Sequence, residues 1–229
     1  KMVTVACVFW GDKFSEDYVY NLKSMVERNT TVEHQFVCLT DRKKMDGIKT
    51  VPLIPGYDGW WNKLQLFNTD HRLGSRVVYL DLDTLIVSNI DWLLKYDGIF
   101  MGIEDLGSVN EHQPYLRNRL QSAVMSWDYN FNGDVWRRFA SNPQVMQQFR
   151  GDGEYLNVAI SSMSRDFIQK KFPGKLKSYK YQVYPDKLTE KLSIVCFHGR
   201  PSIVQAINNT VKTPFGIYKP QKWVKDNWK

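Results

Sequence analysis

The feature that most constrains the fold is an alternation, in the N-terminal part of the chain, of apolar runs of strand length with amphipathic segments of helical spacing. Helical patterns run from Ser15 to Arg28 and from Trp60 to Asn68. Four apolar runs rich in β-branched residues predict strands: Val3–Phe9, His34–Thr40, Thr50–Ile54 and Arg76–Leu80. Strands separated by helices predict an α/β fold with a mixed, mostly parallel sheet, whose ligands bind beyond the carboxyl ends of the strands.

The rest of the chain has a less regular pattern. Four segments predict short strands: Gly98–Ile103, Ala123–Trp127, Gln182–Tyr184 and Ile194–Phe197. Asn132–Ser141 and Pro143–Phe149 predict helices, and the polar segment Gly107–Asn118 predicts a loop. Because no repeat, low-complexity tract or linker interrupts the 229 residues, we expect a single domain.

Composition narrows the class of protein. Hydrophobic residues make up 43% and charged residues 24% of the chain, which excludes a disordered or fibrous protein. The net charge of +7 favours anionic partners without choosing among phosphate-bearing small molecules, nucleic acid and acidic surfaces. Cys7, Cys38 and Cys196 lie in apolar runs, a pattern typical of free thiols in a reducing compartment. No run reaches the roughly 18 apolar residues of a membrane span, and no secretory signal is evident, so we expect a cytoplasmic protein, at most peripheral at a membrane surface.

The strongest chemical signal is the segment RVVYLDLDTLIV, in which Asp81 and Asp83 follow an apolar strand. Residues two apart in a strand point to the same face, so the two carboxylates could converge on one cation. Carboxylate oxygens suit Mg²⁺ or Mn²⁺, especially when the phosphates of a substrate complete the coordination shell. The alternative is a turn at the end of the strand, with the carboxylates capping backbone N–H groups.

Two later segments add weaker signals. His198 follows a short strand and precedes Gly199, which permits close backbone approach, and Arg200, which is suited to binding phosphate. The segment RGDGEYLN surrounds Asp152 with glycines. Taken singly, these segments equally fit a hydrogen-bonded histidine and a plain turn before a helix.

In this order, the segments VVYLDLDTLIVSNIDWLL, GDGEYLN and VCFHGRP resemble the retaining glycosyltransferases of family 8 (glycogenin-like), over roughly residues 3–202. The resemblance implies a single Rossmann-like glycosyltransferase-A domain over residues 1–229. It divides into a nucleotide-binding half (1–105), a sugar and acceptor half (106–202) and a C-terminal tail (203–229). It also implies a UDP-sugar donor and an Mn²⁺ or Mg²⁺ ion held by Asp81, Asp83 and His198.

The same resemblance assigns residues to the donor. Those placed at the uridine and diphosphate are Val8, Phe9, Asp12, Phe14, Lys63, Asp81, Leu82, Gly199 and Arg200, with Phe14 stacking on the base. Gln121 and Ser122 are placed at the sugar, where the family pattern Asn-Ser-Gly-Val becomes Gln-Ser-Ala-Val in this chain. Ser202 stands where the family usually has a lysine, so Arg200 is expected to supply the charge near the diphosphate.

Asp105 and Asp152 are the catalytic candidates by resemblance, although the glutamine that follows the second aspartate in the family is replaced by Gly153. Asp152 could orient the acceptor, stabilise the sugar cation or attack it, and the leaving diphosphate could itself act as the base. Transfer of a hexose with retention at the anomeric carbon is expected.

The acceptor is open between a saccharide, a lipid-linked saccharide and a protein side chain, and nucleic acid is a further possibility. The basic, aromatic segments Lys170–Tyr181 and Tyr218–Trp228 are candidate acceptor or surface-binding regions, or else a solvated positive face and a packed tail. Two other readings are a non-catalytic nucleotide-sugar or nucleic-acid binding module and a nucleotidyltransferase or phosphatase with paired aspartates. The oligomeric state is not readable from the sequence.

Overall fold

The computed structural model describes residues 2–109, 113–131 and 133–229. Strands are β1 (Val3–Phe9), β2 (His34–Thr40), β3 (Lys49–Pro52), β4 (Arg76–Leu80), β5 (Thr84–Ile86), β6 (Phe100–Glu104), β7 (Leu120–Asp128), β8 (Arg165–Phe167), β9 (Leu176–Ser178), β10 (Ile194–Cys196), β11 (Val211–Thr213) and β12 (Gly216–Tyr218). Helices are α1 (Glu16–Asn29), α2 (Asp91–Leu94), α3 (Gly133–Ser141), α4 (Val145–Gln148), α5 (Asp152–Ala159), α6 (Ile168–Lys171), α7 (Ile203–Asn208) and α8 (Lys222–Asn227).

The main sheet has seven strands in the order β3-β2-β1-β4-β7-β6-β8. The pairs among β3, β2, β1 and β4 are parallel, β7 runs antiparallel to both of its neighbours, and β6 and β8 are parallel again. The predicted α/β fold with a mixed, mostly parallel sheet is therefore confirmed. A smaller sheet has the order β5-β10-β9, and β11 pairs with β12 as a hairpin.

The apolar runs form strands because both faces of the main sheet are covered. Along β4, Val78 and Leu80 face one core with helix α1, and Val77 and Tyr79 face the other core. The second core packs around Trp127 and a 3₁₀ helix at Gly59–Phe67. A strand buried on both sides needs apolar side chains at every position, which explains the continuous runs in the sequence.

Several predicted elements shift or change type. The segment predicted as a strand at Gln182–Tyr184 is instead part of a π-helical turn at Tyr179–Val183, so that prediction is wrong. The turn is favoured because the hydroxyl of Ser178 accepts a hydrogen bond from the Tyr181 N–H, and the Tyr179 ring stacks on Phe197 at 4.3 Å. The segment Gly107–Asn118 includes the 3₁₀ turns Leu106–Val109 and Pro114–Leu116 at its ends; residues 110–112 lie outside the described residues, as does Asn132.

The C-terminal tail packs on its own chain. The Trp228 ring lies 5.0 Å from that of Tyr18 on α1, and Val224 of α8 is fully buried. The tail is therefore docked on its own chain at these two residues. Within the described residues, none of the helices has the length and apolar character needed to cross a membrane.

Candidate active site

A cavity of about 450 Å³ opens where the carboxyl ends of β1 and β4 meet the first residues of β7. The lining comes from β1 and its following loop, the 3₁₀ helix Gly59–Phe67, the end of β4, the start of β7 and the start of α5. Because β1 and β4 are parallel neighbours, their carboxyl ends lie side by side, at the position where open α/β sheets bind ligands.

Asp81 and Asp83 both line this cavity, but they lie in a turn rather than in a strand. The Asp81 N–H donates to the carbonyl of Ala123 at 2.8 Å, and the Thr84 N–H donates to the carbonyl of Asp81 at 3.1 Å. The argument from strand alternation is therefore wrong about the local geometry. The turn itself brings the two carboxylates to one cavity.

Lys63 connects the carboxylates of the site. Its Nζ lies 2.9 Å from Asp81 Oδ1, 3.3 Å from Asp152 Oδ2 and 3.1 Å from Ser122 Oγ, and the residue is 7% exposed. Burial lowers the pKa of Lys63, but the charges of Asp152 and Asp81 outweigh burial, so the net shift of its pKa is upward. Lys63 is therefore held as a cation between the two carboxylates.

Of the three carboxylates that line the cavity, Asp83 is the one whose negative charge is least offset by neighbouring positive charge. Burial and the neighbouring charge of Asp81 raise its pKa to about 7, although Lys13 and Lys63 act in the opposite direction. A carboxylate that resists ionisation beside a second carboxylate is relieved by a bound cation. Asp81 and Asp83 thus offer the hard oxygen donors that Mn²⁺ or Mg²⁺ prefers.

His198 lies near this turn through the small sheet. Cys196 on β10 pairs with Thr84 on β5, and the Phe197 N–H donates to the carbonyl of Asp83 at 3.2 Å. His198 is thus one residue beyond the backbone contact with Asp83. Burial and the charge of Lys180 lower the pKa of His198 to about 3, so its ring is neutral, as a metal ligand must be.

The predicted metal triad is nevertheless not assembled. His198 Nε2 is hydrogen-bonded to Ser178 Oγ at 2.7 Å, and His198 is not among the residues that line the cavity. Among the described residues, no three side chains of His, Cys, Asp or Glu are grouped so that they could hold a metal ion. The two aspartates fit a hard divalent cation, whereas His198 would have to leave Ser178 to bind one through Nε2.

Three solved structures of glycosyltransferases have a similar architecture. The galactosyltransferase LgtC, in complex with donor and acceptor sugar analogues, gives a TM-score of 0.62 at 12% identity, over 87% of this chain and 88% of that chain. GlyE of Streptococcus pneumoniae gives 0.63 at 12% identity over 89% of this chain and 56% of that one, and the bifunctional glycosyltransferase WbbM gives 0.58 at 10% identity over 88% and 46%. The chain has the glycosyltransferase-A fold. No protein-family profile and no curated protein sequence matches it.

The glycosyltransferase-A fold brings most of the sequence-predicted donor residues to the cavity. Those that line it are Val8, Phe14, Lys63, Asp81, Leu82, Asp83, Gln121, Ser122 and Asp152. Asp152 begins helix α5, is 7% exposed, and accepts a hydrogen bond from the Ser122 hydroxyl. Lys63 and Ser122 together fix this carboxylate at the end of the cavity formed by α5.

Other predicted residues lie elsewhere in the glycosyltransferase-A fold. The Phe9 side chain is 1% exposed in the core, and the fully exposed Asp12 side chain lies 3.3 Å from the guanidinium of Arg42. Asp105 Oδ1 accepts a hydrogen bond at 2.9 Å from the Gly107 N–H of its own loop. Gly199 and Arg200 are not among the lining residues, although Gly199 has a φ of +72°, a conformation that favours glycine.

Sequence reasoning did not assign Trp10, Lys13, Trp60 or Tyr79 to the site, and all four line the cavity. Tyr79 donates a hydrogen bond through its hydroxyl to Asp81. A signal for Trp60 existed in the sequence, because the apolar stripe of its segment passes through the next residue, Trp61. The helical pattern therefore does not place Trp60 in the core, and this was the signal that could have identified it as a site residue.

Proposed function

We propose that this chain is a metal-dependent glycosyltransferase that moves a hexose from a UDP-sugar to a saccharide acceptor, with retention at the anomeric carbon. The observation that carries the proposal is the cluster of Asp81, Asp83 and Asp152 around Lys63 in one cavity at the carboxyl edge of the sheet. The glycosyltransferase fold supports it, because neighbours with that fold include an enzyme solved with donor and acceptor sugar analogues.

The chemistry of donor cleavage follows from the charges in the cavity. The bond between the anomeric carbon and the phosphate oxygen breaks, and the electron pair leaves with UDP. Asp81 and Asp83 would hold the divalent ion, which when bound supplies positive charge against the diphosphate. Lys63 adds a fixed cation that needs no reorganisation when the leaving group becomes more negative.

Asp152 is suited to stabilising the sugar cation rather than to attacking it. Its Oδ2 is bound by both Lys63 and Ser122, and these two contacts occupy the oxygen and weaken it as a nucleophile. The acceptor hydroxyl then forms the new bond to the anomeric carbon, and its proton passes to the departing diphosphate on the same face. Asp152 serves in this sequence as an electrostatic and orienting group.

Nucleic acid is disfavoured as the acceptor. The charged residues that line the cavity are Lys13, Lys63, Asp81, Asp83 and Asp152, so their formal sum is 2 − 3 = −1. Such a cavity repels a polyanion unless a cation is bound, and that cation is needed at the donor diphosphate.

The test is the release of UDP from UDP-sugars in the presence of Mn²⁺, after a screen of UDP-sugars and GDP-sugars by thermal shift. Asp81→Asn is expected to lower UDP release by at least about a hundredfold, because it removes a metal ligand and the partner of Lys63. The matched control is Asp46→Asn, whose side chain is 90% exposed and contacts only Lys44 among the charge pairs of the described residues. Release of inorganic phosphate instead of UDP, or undiminished transfer by the Asp81 variant in metal-depleted buffer, would refute the proposal.

A further inference from the structure

Trp60 is the most exposed of the eight tryptophans of the chain, with 56% of its surface open to solvent. It also lines the cavity that holds the carboxylate cluster. An indole ring left open to water beside a charged cluster contributes little to the core, because its apolar faces are not covered. Packing of the hydrophobic core therefore does not explain why a tryptophan occupies this position.

The local structure fixes Trp60 relative to the charged cluster. A 3₁₀ helix has three residues per turn, so Trp60 and Lys63 lie on the same face of the helix Gly59–Phe67. Lys63 reaches Asp81 and Asp152 from that face. The indole therefore stands one turn away from the lysine that organises the site.

A second contact places the ring against the residue before Asp152. A Cβ atom added at Gly151 would lie 3.1 Å from Nε1 of Trp60, closer than most such contacts in proteins. The ring is thus packed against the glycine backbone, and a larger residue there would push it away. Helix 59–67 and the start of α5 together hold Trp60 beside Gly151, the residue that precedes Asp152.

The residues that line the cavity come from different elements of the fold. Val8 and Phe14, from β1 and the loop after it, line one part, and Trp60, Asp152 and Gly153 line the part formed by the 3₁₀ helix and α5. The diphosphate-binding aspartates come from the turn after β4. If the base of the donor occupies the β1 end, the anomeric carbon reaches Asp152, and the space over Trp60 remains for the acceptor.

We propose that Trp60 is the platform of an acceptor subsite, on which the apolar C–H face of a pyranose ring stacks while a hydroxyl of that ring faces Asp152. The inference rests on the proposed glycosyltransferase function and adds the position of the acceptor. A saccharide fits better than a nucleobase, because the cavity that Trp60 lines also carries the carboxylates of Asp81, Asp83 and Asp152, which accept hydrogen bonds from hydroxyls and repel phosphates.

The test compares Trp60→Ala and Trp60→Phe with the wild type in two assays. One is hydrolysis of the UDP-sugar without acceptor, and the other is transfer to the methyl glycosides of glucose, galactose and N-acetylglucosamine. The alanine variant should raise the KM for the glycoside about tenfold and the phenylalanine variant should restore most of the loss, whereas donor hydrolysis should fall much less than transfer in the alanine variant. Phe215→Ala is the matched control, because its ring is 54% exposed on the β11–β12 hairpin and does not line the cavity.

Tryptophan fluorescence provides a readout that needs no turnover. The glycosides should quench the emission of the wild type and leave that of Trp60→Phe unchanged. Any of three results would overturn the subsite. They are an unchanged glycoside KM in the alanine variant, an equal loss of donor hydrolysis and transfer in that variant, and a larger effect of Phe215→Ala than of Trp60→Ala. Quenching by a single-stranded oligonucleotide but by none of the glycosides would overturn the choice of a saccharide. Failure of the wild type to release UDP from any donor would instead contradict the proposed function.

Discussion

Asp83 allows a quantitative test, because the structure makes its charged form costly. Its pKa is raised from 3.8 to about 7, first by burial and then by the charge of Asp81. At about 1.4 kcal/mol for each pKa unit, ionising Asp83 in the folded protein costs about 4 kcal/mol. The substitution Asp83→Asn removes the charge but buries an amide in its place, which offsets about 1–2 kcal/mol of the gain. We therefore expect the metal-free Asn variant to be about 2 kcal/mol more stable than the wild type at alkaline pH.

The pH dependence follows from the direction of the shift. A carboxyl whose folded pKa lies above its unfolded pKa contributes stability below pH 3.8 that is lost as the pH rises through about 7. Below about pH 4 only the cost of the buried amide remains, so Asp83→Asn should be less stable than the wild type by about 1–2 kcal/mol; the difference should reverse between about pH 4 and 7 and then remain constant.

The assay is thermal unfolding in a chelating buffer across this pH range, repeated with excess Mn²⁺. For a chain of this length, about 2 kcal/mol corresponds to a rise in Tm of about 4–8 °C. With Mn²⁺ the wild type should gain stability and the Asn variant much less, because only the wild type keeps both carboxylates. Asp46→Asn serves as the exposed control. A Tm advantage that is absent at alkaline pH, or that is as large in acid, would refute the reasoning.

Two other predictions concern buried groups. Lys63→Met leaves Asp152 and Asp81 without their cation, so we expect it to lower the free energy of unfolding by about 3–5 kcal/mol in denaturant melts at neutral pH. The control Lys23→Met removes a surface ion pair with Glu27 and should cost less than about 1 kcal/mol. Equal losses in the two variants would contradict the role given to Lys63. The thiols of Cys7 and Cys196 are buried, and burial raises the pKa of each. A thiol reagent should therefore label neither cysteine in the native protein and both after unfolding. Rapid labelling of either cysteine in the native protein would contradict their burial.

The main sheet could be predicted because burial on both faces leaves a direct trace in the sequence. Val3–Phe9, His34–Thr40 and Arg76–Leu80 were predicted as strands with the same bounds that the structure shows. The π-helical turn at Tyr179–Val183 could not be predicted, because it depends on stacking of Tyr179 with Phe197, which is distant in sequence. Local propensity does not contain that contact.

The site was predictable in its residue types and less so in its geometry. Asp81, Asp83, Lys63 and Asp152, which the family resemblance assigned to the donor site, line one cavity. The local sequence does not determine which polar groups of the site form hydrogen bonds with one another. His198 satisfies its ring with Ser178, a pairing set by the parallel register of β9 and β10.

The repulsion among the carboxylates of the cavity can be reduced by a proton on Asp83 or by a bound cation. The competition between the two links the stability of the fold to the proposed function. The charges that line the cavity sum to −1, so a donor diphosphate with two negative charges would bring the total to −3 unless something compensates. In the absence of metal a proton on Asp83 removes a charge that burial, and after it the charge of Asp81, make costly, and the pKa of Asp83 is raised for these two reasons. Under the proposed function, a divalent ion held by Asp81 and Asp83 would offset the negative charge of these carboxylates and of the donor diphosphate. Ionisation of Asp83 as the pH rises through about 7 destabilises the fold, and under the proposed function this instability would favour binding of the ion together with the donor.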